Sequence, residues 1–210
     1  MARSEGDMAV LVLDCDGVVV RGHAQGGRWD KHLARDLGID ARALQDGFFA
    51  PHWRAISHGE ADMMAMLDAV WPQLGCAATP AQFVDYWFAN DATLDGEVLA
   101  LVDAWRAGGG RAYLGTVQEH HRARYLWERV GLKAHFDAIY YSAALGAWKP
   151  DAAFYERLQA RLPVAAPGEV IFLDDVLRNV EAASAFGWRA SQFVSAEDLR
   201  SALAGIPPSP

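Results

Sequence analysis

The chain has 210 residues, enough for one α/β core plus a modest insertion. Its 19 basic and 27 acidic residues leave a net charge of −8, which argues against nucleic acid or an anionic membrane surface as the main partner. Its 2 cysteines, Cys15 and Cys76, lack metal-ligand spacing, so neither a disulfide framework nor a zinc site is read. The start, Met1–Asp7, is polar, and the apolar run after it is one strand long, too short for a signal or membrane segment. The cytoplasm is therefore the expected compartment.

Met8–Leu13 reads as a buried parallel strand that ends in Asp14-Cys15-Asp16-Gly17-Val18. Strand side chains alternate faces, so Asp14 and Asp16 address one point beyond the strand's C-terminal end, where open α/β sheets bind ligands. Two carboxylates at one point repel unless a cation or a shared proton relieves them. That suits a metal-assisted nucleophile beside an acid/base; an acidic solvated turn is the plain alternative. Cys15 fits as a small buried residue, with a reactive thiol the lesser reading.

Gly22–Gly27 is a glycine-rich loop or flap. Trp29–Asn90 then carries helical periodicity in Trp29–Leu37, Phe48–Ile56, Asp62–Val70 and Ala81–Asn90. Asp62 is a candidate helix cap and Pro80 a first-turn proline. No strand signal interrupts this stretch, which reads as a self-contained helical insertion. Trp29, Trp53, Trp71 and Trp87 read mostly as core, while Trp53, inside His52-Trp53-Arg54, is also a candidate to line a substrate pocket.

Gly96–Ala107 is a helix closed by Gly108-Gly109-Gly110. Four more strands follow: Arg111–Leu114 before Gly115-Thr116, Asp137–Tyr141 before the loop carrying Lys149-Pro150-Asp151, Val170–Leu173 before Asp174-Asp175, and Arg189–Val194. His120–Val130, Ala152–Leu162, Asn179–Phe186 and Ala196–Leu203 are the intervening and terminal helices. Ile206–Pro210 reads as a frayed tail. Alternating strands and helices predict an α/β fold, a Rossmann-like parallel sheet with helices on both faces.

With Asp14-x-Asp16-Gly17-Val18, Thr116, Lys149-Pro150-Asp151 and Asp174-Asp175 in this order, the chain resembles the haloacid dehalogenase-like (HAD) hydrolases from about Met8 to about Val194. The paired aspartates followed by Asn179–Ala183 and Gly187 look like the subgroup with a small all-helical cap inserted after the first strand. Some members of that subgroup dephosphorylate sugar phosphates, and others are dehalogenases. The resemblance implies a core of residues 1–21 and 93–210 and a cap of residues 22–92.

It also implies roles. Asp14 would attack phosphorus, and Asp16 would protonate the leaving alcohol and later activate water. Mg²⁺ would be held by Asp14, the backbone carbonyl of Asp16 and Asp175, with Asp174 beside it. Thr116 and Lys149 would bind the phosphoryl oxygens. Arg54 is the candidate to reach a polar substrate group, with His52, His58 and Glu60 near it. The implied activity is a Mg²⁺-dependent phosphatase acting on a small phosphorylated metabolite, a sugar phosphate among the options.

Plain alternatives stand beside these roles. Lys149 could be a loop lysine, Arg54 a solvated helix arginine, and Asp174-Asp175 or Asp151 helix caps. His120-His121 are adjacent on a helix and point about 100° apart, so a surface role fits better than joint ligation. Val117 departs from the family pattern, where Asn is frequent, and removes one possible donor. A haloacid dehalogenase would need neither Mg²⁺ nor Asp16, and a catalytically weak HAD-fold binding module is the remaining alternative.

Overall fold

The computed structural model describes residues 9–24, 26–164 and 166–204. Met1–Met8 and the Ile206–Pro210 tail lie outside these residues, as does Gln25 within the glycine-rich loop. Five strands form one parallel sheet in the order β3-β2-β1-β4-β5. They are β1 (Val10–Leu13), β2 (Arg111–Thr116), β3 (Ala138–Tyr141), β4 (Val170–Asp174) and β5 (Arg189–Gln192). Central β1, Val-Leu-Val-Leu, is buried on both faces, which is why it reads as an uninterrupted apolar run. The edge strand β5 is more polar and stops at Gln192, two residues short of its expected end.

Helices cover both faces. Leu11 and Leu13 pack with Val98 and Val102 of α6 (Gly96–Ala107) and Leu199 of α11 (Ala196–Leu203). Val10 and Val12 face the opposite side, with Phe154 and Leu158 of α9 (Ala152–Gln159) and Ala183 of α10 (Leu177–Phe186). Between them in the chain lie α7 (His120–Arg124) and the four-residue α8 (Ser142–Leu145). The α8 turn is too short to carry a periodic signal and was not expected.

The segment between β1 and α6 is helical, as its sequence predicts: α1 (Leu33–Leu37), α2 (Ala41–Leu44), α3 (Ala50–Ser57), α4 (Met63–Leu74) and α5 (Pro80–Asn90). Asp62 caps α4 by accepting the N–H of Ala65 at 2.9 Å, and Thr79 with Gln82 forms a capping box ahead of Pro80. The helix expected over Phe48–Ile56 begins earlier, because Asp40 caps Arg42 and Ala43, each at 2.8 Å. It runs from α2 into α3 through a wide turn at Gln45–Phe49. Pro51 has no N–H to donate back along the helix, which accounts for the displaced hydrogen-bond ladder just before it. A similar wide turn, Tyr125–Arg129, follows α7 where regular helix was expected.

This helical segment has its own apolar core, with Phe48, Leu67, Phe83 and Trp87 among its members. Its two connections to the sheet run side by side. Arg21 donates to the carbonyl of Thr93 at 2.8 Å, Thr93 donates to that of Gly22 at 3.2 Å, and Val20 bridges Leu94. Among the described residues no helix is long and apolar enough to cross a membrane.

Candidate active site

The chain leaves β1 for β2 and β3 on one side and reaches β4 and β5 on the other. Strand order reverses at β1, so a crevice opens at its C-terminal end. A cavity of about 390 Å³ lies there, and Asp14, Asp16, Thr116, Lys149 and Asp175 all line it. The ends of four chain segments far apart in sequence therefore meet, as the motif positions predict.

Asp14 is buried, and Oδ1 accepts the N–H of Cys15 at 2.7 Å and meets Lys149 Nζ at 2.9 Å. Lys149 also donates to Asp174 Oδ2 at 2.6 Å. Asp174 is fully buried; its carboxylate also accepts Val176 N–H at 2.9 Å and Asn179 Nδ2 at 3.0 and 3.1 Å. Both of its oxygens are thus engaged by protein donors. Asp174 anchors Lys149 and holds the turn before α10, but the N-cap position of α10 is Val176 and carries no side-chain cap, so Asp174 does not fill the capping role weighed from sequence.

The electrostatics show a shortage of positive charge. Burial pushes the Asp14 carboxyl up to about 7, with Lys149 pulling it down and Asp174 and Asp16 pushing it up. Burial would favour neutral Lys149, yet the Asp14 and Asp174 carboxylates raise it above its ordinary value, so it stays an ammonium. Burial, then Asp174, also raises Asp175. Carboxylate oxygens of Asp14, Asp174 and Asp175 lie within 4.8 Å of one another. One lysine does not balance three carboxylates, and an all-oxygen donor set of this kind fits a hard divalent cation.

Gly17 makes that cluster possible. Its φ of +84° suits glycine, and a Cβ built there would overlap the Asp175 carboxylate. Asp175 therefore approaches the turn after β1 closely.

The Asp16 side chain takes a different direction from the metal-type cluster. Gln118 Nε2 donates to Oδ2 at 2.5 Å and Arg122 Nη2 to Oδ1 at 3.0 Å. The same Arg122 nitrogen reaches the Asp91 carbonyl at 2.6 Å and its carboxylate at 3.3 Å. Burial favours neutral arginine, but Asp16 and Asp91 outweigh it and raise Arg122. Nη1 of Arg122 is buried with no hydrogen-bond partner. The sequence reading missed Gln118, Arg122 and Asp91. A single arginine in a crossover helix carries no motif, and only the tertiary contact reveals it.

Thr116 is buried at the end of β2, and Val117 lines the cavity beside it. Trp148 forms another wall; the His58 ring stacks on it at 5.0 Å and the Arg54 guanidinium lies 6.0 Å above it. Arg54 thus reaches the back of a cavity wall. His52 instead lies against Phe48 at 6.4 Å, and neither His52 nor Arg54 lines the cavity. Asp151 occupies the N-cap position of α9, but its side chain makes no capping hydrogen bond. The two histidines part company as geometry predicts: His120 contacts the Tyr141 hydroxyl at 3.3 Å and His121 contacts Asp62 at 2.9 Å.

A buried carboxylate at the sheet's switch point thus lies beside a lysine and two further carboxylates. The family model of haloacid dehalogenase-like hydrolases matches residues 8–187, and the chain belongs to that family and is a hydrolase. A HAD family enzyme from Bacteroides thetaiotaomicron, solved with magnesium, has a TM-score of 0.72 at 16% identity, covering 90% of this chain and 93% of that one. A solved dehalogenase has a TM-score of 0.67 at 17% identity, covering 94% and 97%. Among curated proteins, a sesquiterpene phosphatase of Aspergillus oryzae is 34% identical over 99 residues, 44% of this chain and 47% of that protein. The chain thus matches about half the length of that relative.

Proposed function

We propose that this hydrolase is a Mg²⁺-dependent phosphatase that acts on a small phosphorylated metabolite through an aspartyl-phosphate. The observation that carries the reading is the excess of carboxylate over lysine at the β1 switch point, with a separate carboxylate, Asp16, two residues from the nucleophile. Asp14 and Asp175, with the Asp16 backbone carbonyl, would hold the metal, and Asp174 would act beside it through Lys149. Bound there, Mg²⁺ would supply positive charge that favours ionised Asp14 and offsets charge on the phosphoryl oxygens.

This chain's own residues would do the rest. Asp14 attacks phosphorus while Lys149 and Thr116 bind the phosphoryl oxygens. Asp16 gives a proton to the departing alcohol oxygen, then takes one from the water that hydrolyses the aspartyl-phosphate. Residues 22–92 form a cap over a core of residues 1–21 and 93–210, and closure orients the substrate and excludes side reactions. Arg54, His58 and Trp148 would lie where cap and core meet, with Arg54 contacting a polar substrate group.

The phosphatase relative supports this reading, while dehalogenases among the similar folds favour a second one. Halide leaves unprotonated, so a dehalogenase has no use for Asp16 or for the Asp175 carboxylate. A catalytically weak binding module is favoured only by Val117. Phosphate release with and without Mg²⁺, over phosphorylated metabolites and 2-haloacids, tests all three. Mg²⁺-dependent phosphate release supports the phosphatase; halide release without metal would replace it.

A further inference from the structure

The Asp16 side chain is 49% exposed, and an aspartate so open to water ordinarily samples several rotamers. Here both of its oxygens are held. Gln118 Nε2 donates to Oδ2 at 2.5 Å and Arg122 Nη2 to Oδ1 at 3.0 Å. Donors from two residues on two oxygens set the plane of the carboxylate as well as its place; a single donor would let it swing.

Gln118 is mounted firmly enough to do this. It is buried between the end of β2 and Glu119, whose side chain caps α7. Its peptide is clamped to the start of α8. The N–H donates to Ser142 Oγ at 3.1 Å, and the carbonyl accepts the Ser142 hydroxyl at 3.1 Å and the Ala143 N–H at 3.2 Å. Ser142 is itself fully buried. Arg122 is shared with Asp91, whereas among the described residues the Gln118 amide makes one hydrogen bond, the one to Asp16. A neutral amide adds direction there without adding charge. Asp16 lines the catalytic cavity and Gln118 does not, so Gln118 acts through Asp16.

We propose that Gln118 is a positioning residue for proton transfer to the leaving alcohol, so that turnover depends on it most where the leaving group most needs a proton. This rests on the phosphatase reading. As the bond from Asp14 to phosphorus forms, the bond from phosphorus to the alcohol oxygen breaks, and that oxygen takes its proton from Asp16. An alkoxide departs only as it is protonated, and a misaimed acid slows that step. Dinitrophenolate leaves as the anion and takes no proton.

The test compares ethyl phosphate with 2,4-dinitrophenyl phosphate, both with Mg²⁺, in wild type and Gln118→Met, which keeps the volume and removes the donor. Here kcat/KM covers the steps through departure of the leaving group, so later hydrolysis of the aspartyl-phosphate does not enter. The ratio of kcat/KM for the ethyl ester to that for the aryl ester should fall about tenfold or more. Should Gln118→Met not fold, Gln118→Asn, whose amide is one methylene short of Asp16, should lower the ratio as well. Asp16→Asn has no acid to aim, and in that background Gln118→Met should slow the burst of dinitrophenolate by less than about twofold.

Equal losses on the two esters, an unchanged ratio, a larger loss in the Asp16→Asn background, or failure of both Gln118 variants to fold overturns the inference and leaves the phosphatase standing. No Mg²⁺-dependent phosphate release from either ester by wild type removes the phosphatase reading and the inference with it.

Discussion

Arg122 holds Asp16 at 3.0 Å and the backbone carbonyl of Asp91 at 2.6 Å with a single guanidinium nitrogen. One buried cation thus ties the proposed proton donor to the residue where α5 returns to the sheet. Arg122→Met should destabilise the fold by about 3–5 kcal/mol, since the partly buried Asp91 loses its counter-charge. Urea unfolding measures this. Arg122→Lys keeps the charge but not the fork and should fold. We predict that it lowers kcat by roughly a hundredfold with KM changed little, because Asp16 loses its fixed position. Equal activity of Arg122→Lys and wild type would show that Arg122 serves only the fold.

Asp174 and Asp175 should separate cleanly on mutation. Asp174 is enclosed by Lys149, Asn179 and Val176, whereas Asp175 is partly exposed at the cavity. Asp174→Ala leaves Lys149 less well paired in a buried site and should cost about 3 kcal/mol or more of stability. Asp175→Ala should change the melting temperature little and raise the Mg²⁺ concentration needed for half-maximal activity about tenfold or more. The reverse ranking in Mg²⁺ titrations would reassign the ligand.

Gly17→Ala tests the close approach of the β1 turn to Asp175. The positive φ alone should cost about 1–2 kcal/mol, and the added methyl must displace the carboxylate. The expected result is a higher Mg²⁺ requirement at nearly unchanged secondary structure, read by circular dichroism and activity titration. A pure stability loss with an unaltered Mg²⁺ requirement would place Asp175 outside the metal site.

A pH effect far from the site follows from Asp137. Burial would raise its carboxyl, but the N–H of Ala112 and the guanidinium of Arg111, each at 2.9 Å, hold it below the ordinary carboxylate value. The folded value lies below the unfolded one, so this contribution is fully present above about pH 4. It is lost as pH falls through the folded value. Asp137→Asn should flatten the acid side of the stability curve; an unchanged acid limb in denaturant titrations at pH 3 to 5 would contradict this.

The sheet was legible because buried parallel strands such as Val10–Leu13 and Val170–Asp174 read as short apolar runs, each ending in a polar group. Local side-chain chemistry made the Asp62 cap and the Pro80 start legible as well. The wide turn before Pro51 was not, since it depends on how a proline is absorbed within a continuing helix. Lys149 could be found by its place after β3. Arg122 and Gln118 could not, because what defines them is contact with Asp16 across more than a hundred residues. His52 and Arg54 show the converse limit: neither lines the cavity, and only Arg54 lies over a residue that does, Trp148.

Trapping the covalent intermediate tests the central claim most directly. Enzyme mixed with a radiolabelled phosphate monoester and Mg²⁺ is quenched in acid, digested, and the labelled peptide identified. The account predicts label on Asp14 in wild type, more of it and longer-lived in Asp16→Asn, and none in Asp14→Asn, which should also release no phosphate. Substantial Mg²⁺-dependent phosphate release by Asp14→Asn, or label on another residue, would contradict it.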